Sequence, residues 1–155
     1  HLQRRTAKRA LPHITATARR VEYNGTKTGL TIIDDYAHHP TEITATLKAA
    51  ANYPHNNLWC VFQPHTYTRT KNFLPEFARA LCHADKIVLA DIYAARETDT
   101  LGISSKNLQD EIRQSGGECY YFPSFDAIEN CLKDDLLITM GAGDVVKIGE
   151  NLLQK

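Results

Sequence analysis

The chain has 155 residues, with 18 Lys+Arg against 18 Asp+Glu and 43% apolar residues, which suits one domain with a real core and excludes a disordered chain. Six basic residues and no acid fall in residues 1–20, so the remainder carries 12 basic against 18 acidic residues and offers no general field for nucleic acid. Apolar runs fall short of the roughly 18 residues of a membrane span and the first residues are too polar for a signal-peptide core, so a soluble, cytoplasmic protein without a membrane or nucleic-acid partner is expected.

Residues 1–14 have no periodic pattern and read as an arm ahead of a domain spanning 15–155. Val21–Tyr23 and Leu30–Ile33 flank an Asn24–Gly29 turn, which predicts an entering hairpin. Pro40 suits the first turn of a helix, and Ile43, Leu47 and Ala50 continue it at helical spacing toward Tyr53-Pro54. The unit repeats with a buried-strand run Leu58–Phe62, a polar loop through Thr70, and a helical stripe of Phe73, Phe77 and Leu81.

Lys86–Ile92 predicts the next strand, and a polar stretch Tyr93–Ser105 leads to a helix Lys106–Gln114 closed by Gly116-Gly117. Then follow a strand Cys119–Phe122, a helix Ser124–Leu132, a strand Leu136–Met140 and a last helix from about Asp144 to Leu153. Strands alternating with helices predict an α/β, Rossmann-like three-layer domain, its mostly parallel sheet flanked by helices and preceded by the hairpin. Cys60, Cys82, Cys119 and Cys131 lack metal-site spacing and read as reduced packing thiols. The chain begins at His1 and has a single methionine, Met140, so a piece of a longer protein is expected.

In such a sheet, ligands bind outside the carboxyl ends of the strands. The loop Asp34-Asp35-Tyr36-Ala37-His38-His39-Pro40 sets carboxylates, a phenol and two imidazoles there, more than the capping of one helix needs. His39 is expected to cap, and the adjacent His38 and His39 point apart, which argues against a metal site. Pro64-His65-Thr66-Tyr67-Thr68-Arg69-Thr70 supplies an imidazole, hydroxyls and a guanidinium suited to a carboxylate or phosphate. Gly141-Ala142-Gly143-Asp144 lets backbone approach a ligand but lacks the third glycine of a dinucleotide fingerprint. Neither a G-x-x-x-x-G-K-[ST] loop nor a G-x-S-x-G elbow occurs.

Taken together, Asp34–Ile43, Gln63-Pro64-His65-x-Tyr67-Thr68-Arg69-Thr70, Asp91-x-Tyr93-Ala94-Ala95-x-Glu97 and Gly141–Asp144 resemble the C-terminal domain of Mur ligases from about Ala18 to Leu153. The second and third motifs point to the member that adds L-alanine to UDP-N-acetylmuramate. The resemblance implies one part of a three-domain, ATP-dependent enzyme of peptidoglycan synthesis, inactive alone, whose N-terminal domain holds the UDP-sugar. A central domain then carries the P-loop and holds most of ATP and Mg2+, which accounts for the missing lysine cradle.

By the same resemblance, Asp35 bonds the ATP ribose and His38 lies beside the nucleotide. Tyr36, His65 and Arg69 take the catalytic positions, facing phosphate and amino acid, and His65, Thr66, Arg69, Gly141, Ala142, Gly143 and Asp144 line the amino-acid pocket. No metal ligand is expected in this domain. Thr66 stands where an arginine is expected in the family pattern, and a hydroxyl cannot replace that charge. The rival readings are the related ligase that recycles murein peptides and a stand-alone nucleotide or amino-acid binding module.

Overall fold

Five strands form where short apolar runs are bounded by polar loops, and they pair in parallel. In the computed structural model, which describes residues 21–27, 30–53, 55–124, 126–127 and 136–154, β1 (Val21–Lys27) and β2 (Leu30–Asp35) form the hairpin, antiparallel, with a bulge between Tyr23 and Gly25. Then come α1 (Pro40–Ala50), β3 (Leu58–Phe62), α2 (Tyr67–Asn72), α3 (Leu74–Leu81) and β4 (Lys86–Leu89). The chain continues through α4 (Ser105–Gln114), β5 (Cys119–Tyr121), β6 (Leu136–Met140) and α5 (Val146–Gln154). The sheet order is β1-β2-β6-β3-β4-β5, with every pair from β2 onward parallel.

The pleat divides each central strand between two cores. Leu58, Cys60 and Phe62 of β3, with Leu136, Ile138 and Met140 of β6, face the side covered by α1, α3 and α4, where Ile43, Leu47, Phe77, Leu81, Leu108 and Ile112 complete the packing. Trp59, Val61, Val88 and Leu137 face the other side, against Ile148 of α5. Because β6 lies between β2 and β3, the connection from β2 to β3 passes over it, and the loops after these three strands open at one rim. This is the topological switch point of an open α/β sheet.

Several boundaries differ from the sequence reading. β1 runs on through Asn24–Lys27, because the bulge absorbs the Asn-Gly pair within the strand instead of at the turn. The polar segment expected as a loop through Thr70 is helical from Tyr67. β4 stops at Leu89, and beyond it the chain stays beside its neighbour only through Ala90 N–H donating to Phe62 O and a bridge between His65 and Tyr93. The arm 1–14, Arg19, Arg20, Cys131 and most of the helix expected at Ser124–Leu132 lie outside the described residues. No helix among the described residues is long and apolar enough to cross a membrane.

Candidate functional site

Three of the strand-end loops meet at the rim through main-chain bonds. Gly141 N–H donates to Asp35 O at 3.1 Å and Gln63 N–H donates to Met140 O at 3.0 Å, joining the ends of β2, β3 and β6. Tyr93 N–H donates to Pro64 O and Thr66 N–H to Tyr93 O, both at 2.8 Å, which adds the loop after β4.

On this frame the expected side chains converge. The His38 ring lies edge-on to Tyr36 at 5.5 Å and 6.1 Å from the His65 ring, which stacks on Tyr93 at 5.6 Å. Tyr36 and Tyr93 are 41% and 40% exposed, so an aromatic row stands open at the strand ends. His39 turns the other way, meeting Phe73 at 5.3 Å and accepting from Thr41 N–H through Nδ1. It is the helix cap the sequence suggested, and the two adjacent imidazoles do point apart.

Arg69 comes from the first turns of α2, and its Nη1 lies 3.3 Å from His65 Nδ1. A guanidinium only donates, so His65 Nδ1 accepts and its proton sits on Nε2. Burial, followed by the Arg69 and His38 charges, lowers the His65 pKa, while Glu97 opposes the shift. Near neutral pH the pair therefore presents a neutral imidazole N–H beside a fixed cation, a donor set for a carboxylate or phosphate.

Two of the expected site residues are engaged within the fold. Asp35 is 2% exposed, and its oxygens accept from Ala37 N–H at 3.1 Å and the Thr46 hydroxyl at 2.5 Å. The carboxylate is turned into the fold, not open on the rim for a ribose, because Thr46 places a hydroxyl on the buried face of α1. Burial raises its pKa, against the opposing pull of these bonds. Thr66 is committed to structure as well: it is the N-cap of α2, its hydroxyl accepting from Arg69 N–H at 3.3 Å, and it has φ 67° and ψ 146°.

Gly141, Ala142, Gly143 and Asp144 lead from β6 into α5. A Cβ at Gly143 would lie 2.4 Å from Gln63 Oε1 and 2.9 Å from the Tyr93 ring, and one at Gly141 would lie 2.9 Å from Gln63 O. These glycines thus admit the neighbouring loops. Asp144, Gln63, Asp91 and Tyr93 border a cleft of about 340 Å³. Gln63, 6% exposed, turns into the fold an amide oxygen with no hydrogen-bond partner among the described residues.

Residues missed as individual site members are Gln63, Tyr93 and Glu97. All three lie in the quoted motifs, and their position at strand ends was the available signal. Among the described residues no group of three His, Cys, Asp or Glu is placed to hold a metal ion, and the rim's donors suit anions.

The family described as Mur ligase, glutamate ligase domain matches residues 19–143. The chain belongs to the Mur ligase family. This Mur ligase domain is 60% identical over 152 residues to UDP-N-acetylmuramate--L-alanine ligase of Lachnospira eligens, covering 95% of the chain and 33% of the relative. It therefore spans about one third of that relative's length. Among solved structures, the Thermotoga maritima UDP-N-acetylmuramate-alanine ligase superimposes with TM-score 0.70 at 26% identity, over 88% of this domain and 29% of that chain. A murein peptide ligase from Psychrobacter arcticus gives TM-score 0.69 at 22% identity, over 86% and 28%. That likeness is one of fold alone, so backbone shape does not separate the two solved proteins as relatives of this chain.

Proposed function

We propose that this chain is the amino-acid-binding domain of an ATP-dependent ligase that joins L-alanine to UDP-N-acetylmuramate in peptidoglycan synthesis in the cytoplasm. The observation that carries this reading is the 60% identity, over nearly the whole chain, to a ligase of that name, and the Arg69–His65 pair gives it chemistry. Arg69 neutralises the alanine carboxylate and His65 Nε2–H donates to it, which leaves the amine free to point toward the reacting carbonyl. Tyr36 and His38 line the approach, and the nucleotide lies near His38 and the exposed aromatic row. Gly141–Asp144 supplies close backbone at the same rim. Asp35 acts by holding the Tyr36–His38 loop in place.

ATP supplies the phosphoryl group that activates the muramyl carboxylate, and the alanine amine then displaces phosphate. The residues of this chain orient the amine and exclude water from the activated carboxyl group as the domain closes. Most of ATP and Mg2+ is held by the central domain of the full-length protein, and the UDP-sugar by the N-terminal domain. The test is phosphate release by the full-length protein with ATP, UDP-N-acetylmuramate and either L-alanine or a murein peptide. Turnover is expected with L-alanine and not with the peptide, and the 155-residue chain alone is expected to be inactive; preference for the peptide, or turnover by the isolated chain, refutes the reading.

A further inference from the structure

Glu97 lies in the loop after β4 and has no part in the binding roles above, yet its carboxylate reaches the helix that carries Arg69. It accepts from Tyr67 N–H at 2.5 Å and from Thr68 N–H at 3.2 and 3.3 Å. These are early α2 amides that the Thr66 hydroxyl, engaged by Arg69 N–H, leaves unserved. Glu97 N–H closes its own turn on Ala94 O at 3.0 Å, next to Ala95 at φ 54°. The same loop holds the other side of Thr66, through the exchange between Tyr93 and Pro64–Thr66 and the stacking of Tyr93 on His65. Thr66 sits between these two anchorages with φ 67° and ψ 146°, a conformation that β-branched residues avoid and that persists where neighbours over-determine it.

We propose that Glu97 is a positioning residue for the amino-acid end of the site: it latches the loop after β4 onto the start of α2, so that Arg69 meets His65 in carboxylate-binding geometry and His65 is set in a balanced field. A simple cap would need only an acceptor. A carboxylate here also brings negative charge near His65, where the facing groups are Arg69 and His38 on one side of the balance and Glu97 on the other, with the neutral Tyr93 ring stacked on the imidazole. Bonding from the Thr68 side chain first, then from the Thr68 and Tyr67 N–H groups, holds Glu97 below the usual carboxylate range, so the latch is charged at neutral pH.

The inference rests on the reading of Arg69 and His65 as carboxylate binders, and two readouts separate it from that reading. In the full-length protein with labelled histidine rings, E97Q keeps an acceptor but removes the charge, and the His65 titration midpoint is expected to fall. E97A removes both, and the KM for L-alanine is expected to rise about tenfold, the loss of one charge-assisted contact, with kcat and the ATP KM near wild type. An unchanged His65 midpoint in E97Q overturns the proposal. So does an unchanged alanine KM in E97A where Arg69→Ala raises it. Should Arg69→Ala itself leave the KM unchanged, the carboxylate reading has failed, and the His65 midpoint alone decides for or against Glu97. E97D, which keeps the charge on a shorter arm, is expected to restore the midpoint more fully than the KM.

Discussion

Asp35 and Thr46 form a buried carboxylate–hydroxyl bond that ties the end of β2 to the inner face of α1. The bond crosses 11 positions of sequence and fixes the loop bearing Tyr36 and His38, whose first turn is closed by Ala37 N–H on the same carboxylate. Thr46→Val keeps the shape and removes the donor, so it is expected to cost about 1–3 kcal/mol, the usual penalty for a buried group stripped of its partner. Urea unfolding at neutral pH measures this, and a loss below a few tenths of a kcal/mol would show the bond to be dispensable.

The same carboxylate gives a pH dependence of defined sign. Its folded pKa lies above the ordinary 3.8, so the folded state binds more protons than the unfolded state between the two values, and stability falls as pH rises through that window. Asp35→Asn removes the titration while leaving an amide oxygen for Ala37 N–H. The stability of Asp35→Asn relative to wild type is therefore expected to improve as pH is raised from below 3.8 toward neutrality, and denaturation across that range checks it. A constant difference would mean that Asp35 titrates normally.

Arg69 and His65 predict a binding phenotype. Arg69→Ala in the full-length protein is expected to raise the KM for L-alanine about 10- to 100-fold, the range for a lost charge-assisted contact, with a smaller effect on kcat. The same substitution removes one of the charges that lower the His65 pKa, so the His65 midpoint is expected to move up toward 6.5. In the wild type, His65 below its ordinary 6.5 makes the unfolded state the better proton binder just below that pH. Its contribution to stability is present above 6.5 and is lost as pH falls through the folded pKa.

Thr66 separates conformation from charge. Its φ of 67° favours glycine, and Thr66→Gly is expected to stabilise the domain by up to about 1 kcal/mol, relief of about 1–2 kcal/mol of strain being offset by glycine's entropy and by a small loss of capping. Thr66→Arg adds a second cation near Arg69 and is expected to tighten alanine or phosphate binding in calorimetry. No gain in affinity would mean that the neighbouring cation already satisfies the anion.

Much of the architecture was readable because burial on both faces leaves a plain mark. β3 and β6 are five-residue apolar runs, and their limits in the sequence and in the structure coincide. The rim was readable because chemistry-bearing residues cluster after strands. The α2 helix was not, since Tyr67-Thr68-Arg69-Thr70 carries loop-like hydroxyls and its capping carboxylate comes from Glu97, about 30 positions away. The partners of the two adjacent acids were not readable for a related reason: Asp34 accepts from Thr139, about 105 positions away, and Asp35 from Thr46 on the next helix, and only the packed sheet brings those hydroxyls to them.

Gly143 tests whether the glycine pair serves packing or a ligand. Its missing Cβ leaves room for Gln63 Oε1 and the Tyr93 ring, which an alanine would approach to 2.4 and 2.9 Å, so Gly143→Ala is expected to cost about 1–3 kcal/mol by overpacking. Part of that clash is with the Gln63 side chain. Gln63→Ala should therefore relieve it, and the double variant is expected to be more stable than the sum of the single losses by about 0.5–1 kcal/mol, within the range for contacting residues. A double-mutant cycle in urea measures the coupling. Strict additivity would show that the two side chains do not meet, and the need for glycine would then rest on Tyr93 alone.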